Sequence, residues 1–303
     1  MTENLIKLLD LSREDIFDIL DLGDQLKYDL KNGIPHRNLE GKVLAMVFAK
    51  NSTRTRASFE TGMFHLGGHA IYLTAADTQI HRGEPVADTA RALSRYCDGI
   101  MFRTFSQEDL EELADFATVP VINGMTDFSH PCQVLGDLMT IRERNPLLED
   151  LKLSFIGDGN NMCNSLIVGC LKVGMAVSVA CPEGYRPHPA VLEFAAAYGE
   201  KFSIHTDPKE AVREADVVYT DVWASMGQEE IREEKASAFR GIYQVDGALL
   251  SLAKPEAMVL HCLPARRGEE ITGEAFEAHA AEIFDQAENR LHAQKAVLSI
   301  LMK

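Results

Sequence analysis

Eight short apolar runs, each closed by a polar or glycine-rich turn and followed by a helical pattern, constrain this chain most. The first four are VLAMVFA (centred on 44–49), AIYLTA (70–75), GIMFRT (99–104) and PVINGM (120–125). The second four are LKLSFIGD (151–158), AVSVACP (176–182), ADVVYTDVW (215–223) and MVLHCLP (258–264). Val- and Ile-rich runs that do not alternate with polar residues suit strands buried on both faces. Strands alternating with helices predict parallel sheets flanked by helices. The series breaks at RERNPLLEDLK (142–152), where a charged helix end meets Asn-Pro. The expected architecture is α/β in two domains, 1–145 and 146–285, which agrees with 303 residues at roughly 150 per domain. The stretch AENRLHAQKAVLSILM (287–302) reads as an amphipathic terminal helix.

Charge narrows the partners. Thirty Lys and Arg against 46 Asp and Glu leave a formal charge of −16. Such a surface repels nucleic acid and anionic lipid, so neither is an expected partner. An anionic ligand must be drawn in by a local cluster of cations. No apolar run approaches the ~18 residues of a membrane span. The opening MTENLIKLLD lacks the pattern of a signal peptide. Six cysteines occur without a Cys-x-x-Cys pair, so no structural zinc ligand set is visible. Free thiols without a targeting segment predict a cytoplasmic protein.

Five motifs follow the runs. After VLAMVFA come Lys50, Asn51 and Ser52-Thr53-Arg54-Thr55-Arg56, entering a helix whose apolar side includes Phe59, Met63 and Leu66. A helix N-terminus offers unpaired N–H groups and the positive end of a dipole. Hydroxyls and arginine forks added there suit a phosphate-like anion. A plain serine cap is the bland alternative, but two hydroxyl–arginine pairs at the end of a buried strand favour the anion site. FSHPCQVLGD (128–137) places His130 before Pro131, in extended backbone. His130 could polarise a carbonyl oxygen, and Gln133, three residues on, could hold a planar amide. A helix-entry turn with proline at its first position explains the same residues.

GDGNNMCNSL (157–166) resembles the opening of a dinucleotide fingerprint, but Met162 stands where its third glycine belongs. Asn160 and Asn161 there serve equally as turn residues or caps. In DVWASMGQE (221–229), Asp221 stands at a strand end, where ligand groups often lie in open sheets. Its carboxylate could pair with a ligand amine, or cap the next helix. HCLPARRGEE (261–270) offers backbone carbonyls and the Cys262 thiol, although most buried cysteines are inert. Arg103 and Arg290 add cations, a lone helical arginine being more often solvated.

Taken together these motifs resemble the ornithine carbamoyltransferase family, within the aspartate/ornithine carbamoyltransferase superfamily, from Ser52 to Arg290. Ser-Thr-Arg-Thr-Arg is similar to the carbamoyl-phosphate motif, His-Pro-Cys-Gln to the carbamoyl motif. Asp221-Val-Trp-Ala-Ser225-Met226-Gly227 and His261-Cys262-Leu263-Pro264 resemble the ornithine-specific segments. The resemblance implies that Ser52, Thr53, Arg54 and Thr55 hold phosphate. Arg103, His130 and Gln133 would hold the carbamoyl end, with Arg103 also near phosphate and Arg290 near the carbamoyl oxygen. Asn161, Asp221, Ser225 and Met226 would bind the amino-acid part of ornithine, with Cys262 and Leu263 near the side-chain amine. Gln79, in TQIHRGE, matches a residue lent to a neighbouring subunit.

The resemblance further implies that 286–303 joins the carbamoyl-phosphate domain, and that the assembly is a homotrimer or is built of trimers. The implied reaction makes citrulline and phosphate from carbamoyl phosphate and L-ornithine in arginine metabolism, with no cofactor and no metal. His130, Arg290 and Thr55 would stabilise the oxyanion. Aspartate and putrescine are rival acceptors. A dicarboxylate calls for extra cations, whereas Asp221 and the Ser-Met-Gly turn suit an α-amino acid with an amine tail. A nicotinamide-dependent dehydrogenase is disfavoured by the incomplete fingerprint. A non-catalytic paralogue would show damage to the Arg/His set, and none is visible.

Overall fold

The computed structural model describes residues 3–74, 76–224 and 232–303. The chain divides into two compact units, 1–139 with 289–303, and 140–288. The first division falls inside a helix, ahead of the charged Asn-Pro segment that marks the break in the sequence.

The first unit opens with α1 (Arg13–Lys31), whose Ser12 cap and Asp15 form a reciprocal capping box. It continues through β1 (Val43–Phe48), α2 (Thr53–His65), β2 (His69–Thr74), α3 (Val86–Leu93), β3 (Gly99–Arg103), α4 (Gln107–Phe116), β4 (Val121–Met125) and α5 (Pro131–Arg144). The sheet is parallel, in the order β2-β1-β3-β4. Ala45, Val47, Ile100, Phe102 and Val121 pack with Leu110 and Leu113 of α4 on one side of it. The free edge of β4 is covered by the N-terminal segment, where Leu5 donates to Val121 O and accepts from Asn123 N.

In the second unit, β5 (Lys152–Ile156), α6 (Asn161–Val173), β6 (Ala176–Ala180), α7 (Pro189–Ala196), β7 (Phe202–His205), α8 (Pro208–Val212), β8 (Val217–Thr220), α9 (Arg232–Phe239), α10 (Gly247–Leu250), β9 (Met258–His261), α11 (Gly273–Ala278) and α12 (Ala280–Leu301) follow in turn. Its parallel sheet has the order β7-β6-β5-β8-β9. Helix α6 is buried along nearly its whole length, which suits its run of small and apolar residues, and ends at Gly174 in the left-handed region. The first turns of α12 cover the β9 edge, where Glu282 and Gln286 accept from the Val259 and His261 N–H groups. Such side-chain capping blunts an edge that would otherwise pair with another strand.

The C-terminal part of α12 belongs to the first unit. Asn289 accepts from Lys27 Nζ at 2.8 Å, and Lys295 Nζ donates to Leu26 O at 3.3 Å. All eight expected strands are present. The ninth, β7, escaped the sequence because it is a half-buried edge strand of four residues, FSIH, without an apolar run. In each sheet the strand order reverses once, between β1 and β3 and between β5 and β8. Loops diverge at such points and leave a crevice beyond the carboxyl ends of the strands. Among the described residues, no helix is long and apolar enough to cross a membrane.

Candidate active site

In the first unit, the reversal point brings together the end of β1, the start of α2 and the end of β3. Ser52 is the N-cap of α2, its oxygen accepting from Thr55 N at 3.2 Å. The cap and the proposed anion loop are thus the same residues, not alternatives. Thr53 is exposed and Arg54 half-buried, while Thr55 is fully buried. Thr55 Oγ1 accepts from Arg290 Nη2 at 2.9 Å, from Ser52 Oγ at 3.1 Å and, at the limit of a bond, from Arg103 Nη1 at 3.5 Å. Arg103 is steadied by the Lys50 and Gly124 carbonyls, at 3.1 and 3.3 Å. Arg56, by contrast, is spent on the helix surface, bonded to Glu60 and lying over the Tyr72 ring.

His130 stands immediately before α5, with Pro131 at the first helical position, as its sequence context implies. Burial, and then the charges of Arg290, Arg103, Lys50 and Arg54, hold its imidazole well below the ordinary 6.5. At neutral pH it is therefore an uncharged ring, able to donate one N–H without carrying a proton to be lost. Gln133 is buried, donates from Nε2 to Asp137 and leaves its Oε1 without a hydrogen-bond partner among the described residues. Ser52, Thr55, Arg103, His130, Gln133 and Arg290 thus share one unit, and the field at His130 ties Arg54 to them. Gln79 is not drawn in. It is exposed in a short 3₁₀ turn after β2, where its side chain meets Arg82 alone among the described residues.

The second unit carries its own set at the ends of β5, β8 and β9. Asp221 Oδ2 accepts from Asn160 Nδ2 at 2.9 Å, and its Oδ1 from Val222 N at 2.8 Å and the Cys262 thiol at 3.1 Å. Asn160 also caps α6, accepting from Met162 N and Cys163 N. Asn161, the residue singled out in the sequence, is the first of that helix and is buried beside it. Gly159 has a structural reason. A Cβ there would lie 2.3 Å from Pro187 N, where the two loops cross. That close approach accounts for Gly159, and the positive φ of 143° for Gly157, without a dinucleotide. Ser225 and Met226 lie outside the described residues.

Two supports went unread in the sequence. His261 Nδ1 accepts from Leu263 N at 2.9 Å, so its proton sits on Nε2, which meets Glu270 Oε1 at 2.9 Å. Glu270, fully buried, also accepts from Arg266 N at 2.6 Å. The pair braces the turn carrying Cys262 and Leu263, the latter at φ 59°. Beside it, Lys235 meets Asp158 at 2.6 Å, and burial still pushes the Asp158 carboxyl up to about 6 against that lysine's opposing charge. Asp221, His261 and Cys262 bring metal-ligand atom types within 4.8 Å of one another. Both imidazole nitrogens are already engaged, however, so the set does not fit a metal without breaking that brace. Adjacency offered the one signal available beforehand: Lys50 opens, and Asp137 and Glu270 close, motifs already singled out.

An uncharged imidazole amid arginines, with a buried hydroxyl between them, can bind an anionic ester of a carbonyl acid and stabilise charge building on its oxygen. A carboxylate held by an amide, a backbone N–H and a thiol can receive an ammonium group. Known proteins match this division. Residues 3–143 match the family model for the aspartate/ornithine carbamoyltransferase carbamoyl-P binding domain, and 149–301 the Asp/Orn binding domain. An ornithine carbamoyltransferase of Carboxydothermus hydrogenoformans is 53% identical over 303 residues, 99% of this chain and 97% of that one. One of Methanocorpusculum labreanum is 51% identical, covering 100% and 99%. The solved ornithine carbamoyltransferase of Pyrococcus furiosus superposes with a TM-score of 0.93 at 52% identity, covering 99% of this chain and 96% of that one. With both domain models matched in order and relatives aligned along their full length, the chain belongs to the aspartate/ornithine carbamoyltransferase family.

Proposed function

We propose that this enzyme, an ornithine carbamoyltransferase, divides its substrates between its two units. It transfers the carbamoyl group of carbamoyl phosphate to the side-chain amine of L-ornithine, giving L-citrulline and phosphate. Ser52, Thr53, Arg54 and Thr55 hold the phosphate. Arg103, His130, Gln133 and Arg290 hold the carbamoyl end, within a domain of 1–145 and 286–303. Asn161, Asp221, Ser225, Met226, Cys262 and Leu263 hold ornithine, within 146–285. The observation that carries this reading is the convergence of Arg103 and Arg290 on Thr55, beside a histidine held uncharged.

The neutral δ-amine attacks the carbonyl carbon, and its electron pair displaces the C=O π pair onto oxygen. His130, Arg290 and Thr55 donate to that oxyanion. The intermediate collapses by breaking the bond to the phosphate oxygen, the phosphate leaving against Arg54 and Arg103. The attacking nitrogen gives up one of its two protons, which leaves with the departing phosphate as HPO4(2−). Holding two reactants in line supplies much of the rate. Asp221 pairs with the α-ammonium group and so selects an amino acid. We assign Gln79 to a neighbouring subunit's site in a homotrimer or an assembly of trimers, and the enzyme to the cytoplasm. Citrulline formation compared with product formation from aspartate and putrescine checks the acceptor. Ornithine should lead by orders of magnitude, and an equal rate with putrescine would remove Asp221 from its role.

A further inference from the structure

Gln133 is 1% exposed, and Asp137 is fully buried one turn further along α5. Residues four apart share a helix face, and Gln133 Nε2 donates to Asp137 Oδ1 at 2.8 Å. The oxygen and nitrogen of a glutamine amide ordinarily compete for either orientation. Here the choice is settled, because a carboxylate only accepts and must face the NH2 group. The amide oxygen is thereby aimed away from Asp137, and Oε1, though buried, has no hydrogen-bond partner among the described residues. Buried acceptors in folded proteins are almost always satisfied. The missing donor therefore comes from outside the described residues, as a ligand or an ordered water.

We propose that Asp137 is a positioning residue that sets substrate specificity: it fixes the Gln133 amide in the one orientation that accepts from an NH2 group. Resting on the assignment of Gln133 to the carbamoyl end, it makes the site select carbamoyl phosphate over acyl phosphates of the same shape. Acetyl phosphate carries a methyl group where carbamoyl phosphate carries its amine. A site built to bond an N–H rejects an analogue that lacks one, because its own buried group is then left unpaired. A glutamine turned the other way would present NH2 to the carbamoyl NH2, donor against donor, and the preference would vanish.

The probes are carbamoyl phosphate as substrate, with acetyl phosphate and inorganic phosphate as competitive inhibitors. In the wild type, the inhibition constant of acetyl phosphate should exceed the KM for carbamoyl phosphate by about tenfold or more. Asp137→Asn keeps the shape but can offer either a carbonyl or an NH2 group to Gln133, so the amide is released from its enforced orientation. Its KM for carbamoyl phosphate should rise about tenfold, while inhibition by acetyl phosphate and by phosphate stays within about twofold. A parallel loss of all three affinities would show a packing role only and overturn the proposal, as would an unchanged ratio. A wild-type ratio near one would overturn it without any variant. Gln133→Leu separates the two layers. If it abolishes the preference while Asp137→Asn does not, positioning by Asp137 fails alone; if it leaves the preference intact, the assignment of Gln133 fails with it.

Discussion

Replacing Thr55 by Val removes an oxygen on which three donors converge while keeping nearly the same volume. Arg290 Nη2 lies 2.9 Å from it, Ser52 Oγ 3.1 Å and Arg103 Nη1 3.5 Å. Both guanidinium groups can only donate, so the hydroxyl oxygen must accept, and its proton remains available to an anionic oxygen. The helix start survives, because Ser52 Oγ still accepts from the Thr55 backbone N–H. One charge-assisted bond, one neutral bond to Ser52 Oγ and one marginal contact are lost, which costs about 2–3 kcal/mol of stability. Activity should suffer more, since in the proposed mechanism the hydroxyl is also a donor to the developing oxyanion. A lost donor of that kind costs about 2.7–4 kcal/mol, a hundred- to a thousand-fold in kcat. Thr55→Ser retains the oxygen and should stay within about tenfold of the wild type. Citrulline formation at saturating ornithine reads the activity, and urea unfolding the stability. A folded Thr55→Val enzyme within about threefold of wild-type kcat, below any oxyanion-donor effect, would refute the reasoning.

Asp221→Asn should weaken ornithine binding by about 1.5–3 kcal/mol, the worth of a hydrogen bond to a charged group, and leave carbamoyl phosphate nearly untouched; calorimetry with each ligand checks the division. His130 has a folded pKa held below 6.5, so the unfolded chain takes up the proton first as pH falls. The stability it contributes is whole above about pH 6.5 and declines below it; His130→Gln should show a smaller fall in urea midpoint between pH 7 and 5. Lys295 is pushed down to about 8 by burial, so stability should rise from pH 8 towards 10 as the unfolded lysine keeps its proton longer. That rise should be missing from Lys295→Met. Gly159→Ala forces a Cβ against the Pro187 backbone and should cost about 1–3 kcal/mol of stability, read in the same unfolding experiment.

Eight of the nine strands among the described residues were legible because parallel strands buried on both faces leave continuous apolar runs, as VLAMVF does. FSIH did not, since half of an edge strand's surface faces water and its composition is free to drift. The candidate site residues were legible for a related reason. In open sheets the chemistry sits at strand ends, and Ser52, His130 and Asp221 each stand within five residues of the end of a buried strand, β1, β4 and β8. What the sequence could not show is pairing at a distance. Thr55 and Arg290 are 235 residues apart, and only the return of α12 to the first unit joins them. Asp137 and Glu270 were invisible for a different reason. A buried carboxylate that orients a neighbour has the same one-letter signature as one that is solvated, and only its burial distinguishes the two.

Carbamoyl phosphate labelled with ¹³C, followed by NMR in the presence of ornithine, tests the central claim most directly. The account predicts that the label passes to the ureido carbon of citrulline, one molecule for each phosphate released, at a rate that depends on ornithine. It also predicts that the transfer collapses in Thr55→Val. Label appearing only as carbamate and bicarbonate, or phosphate released at the same rate with and without ornithine, would contradict it.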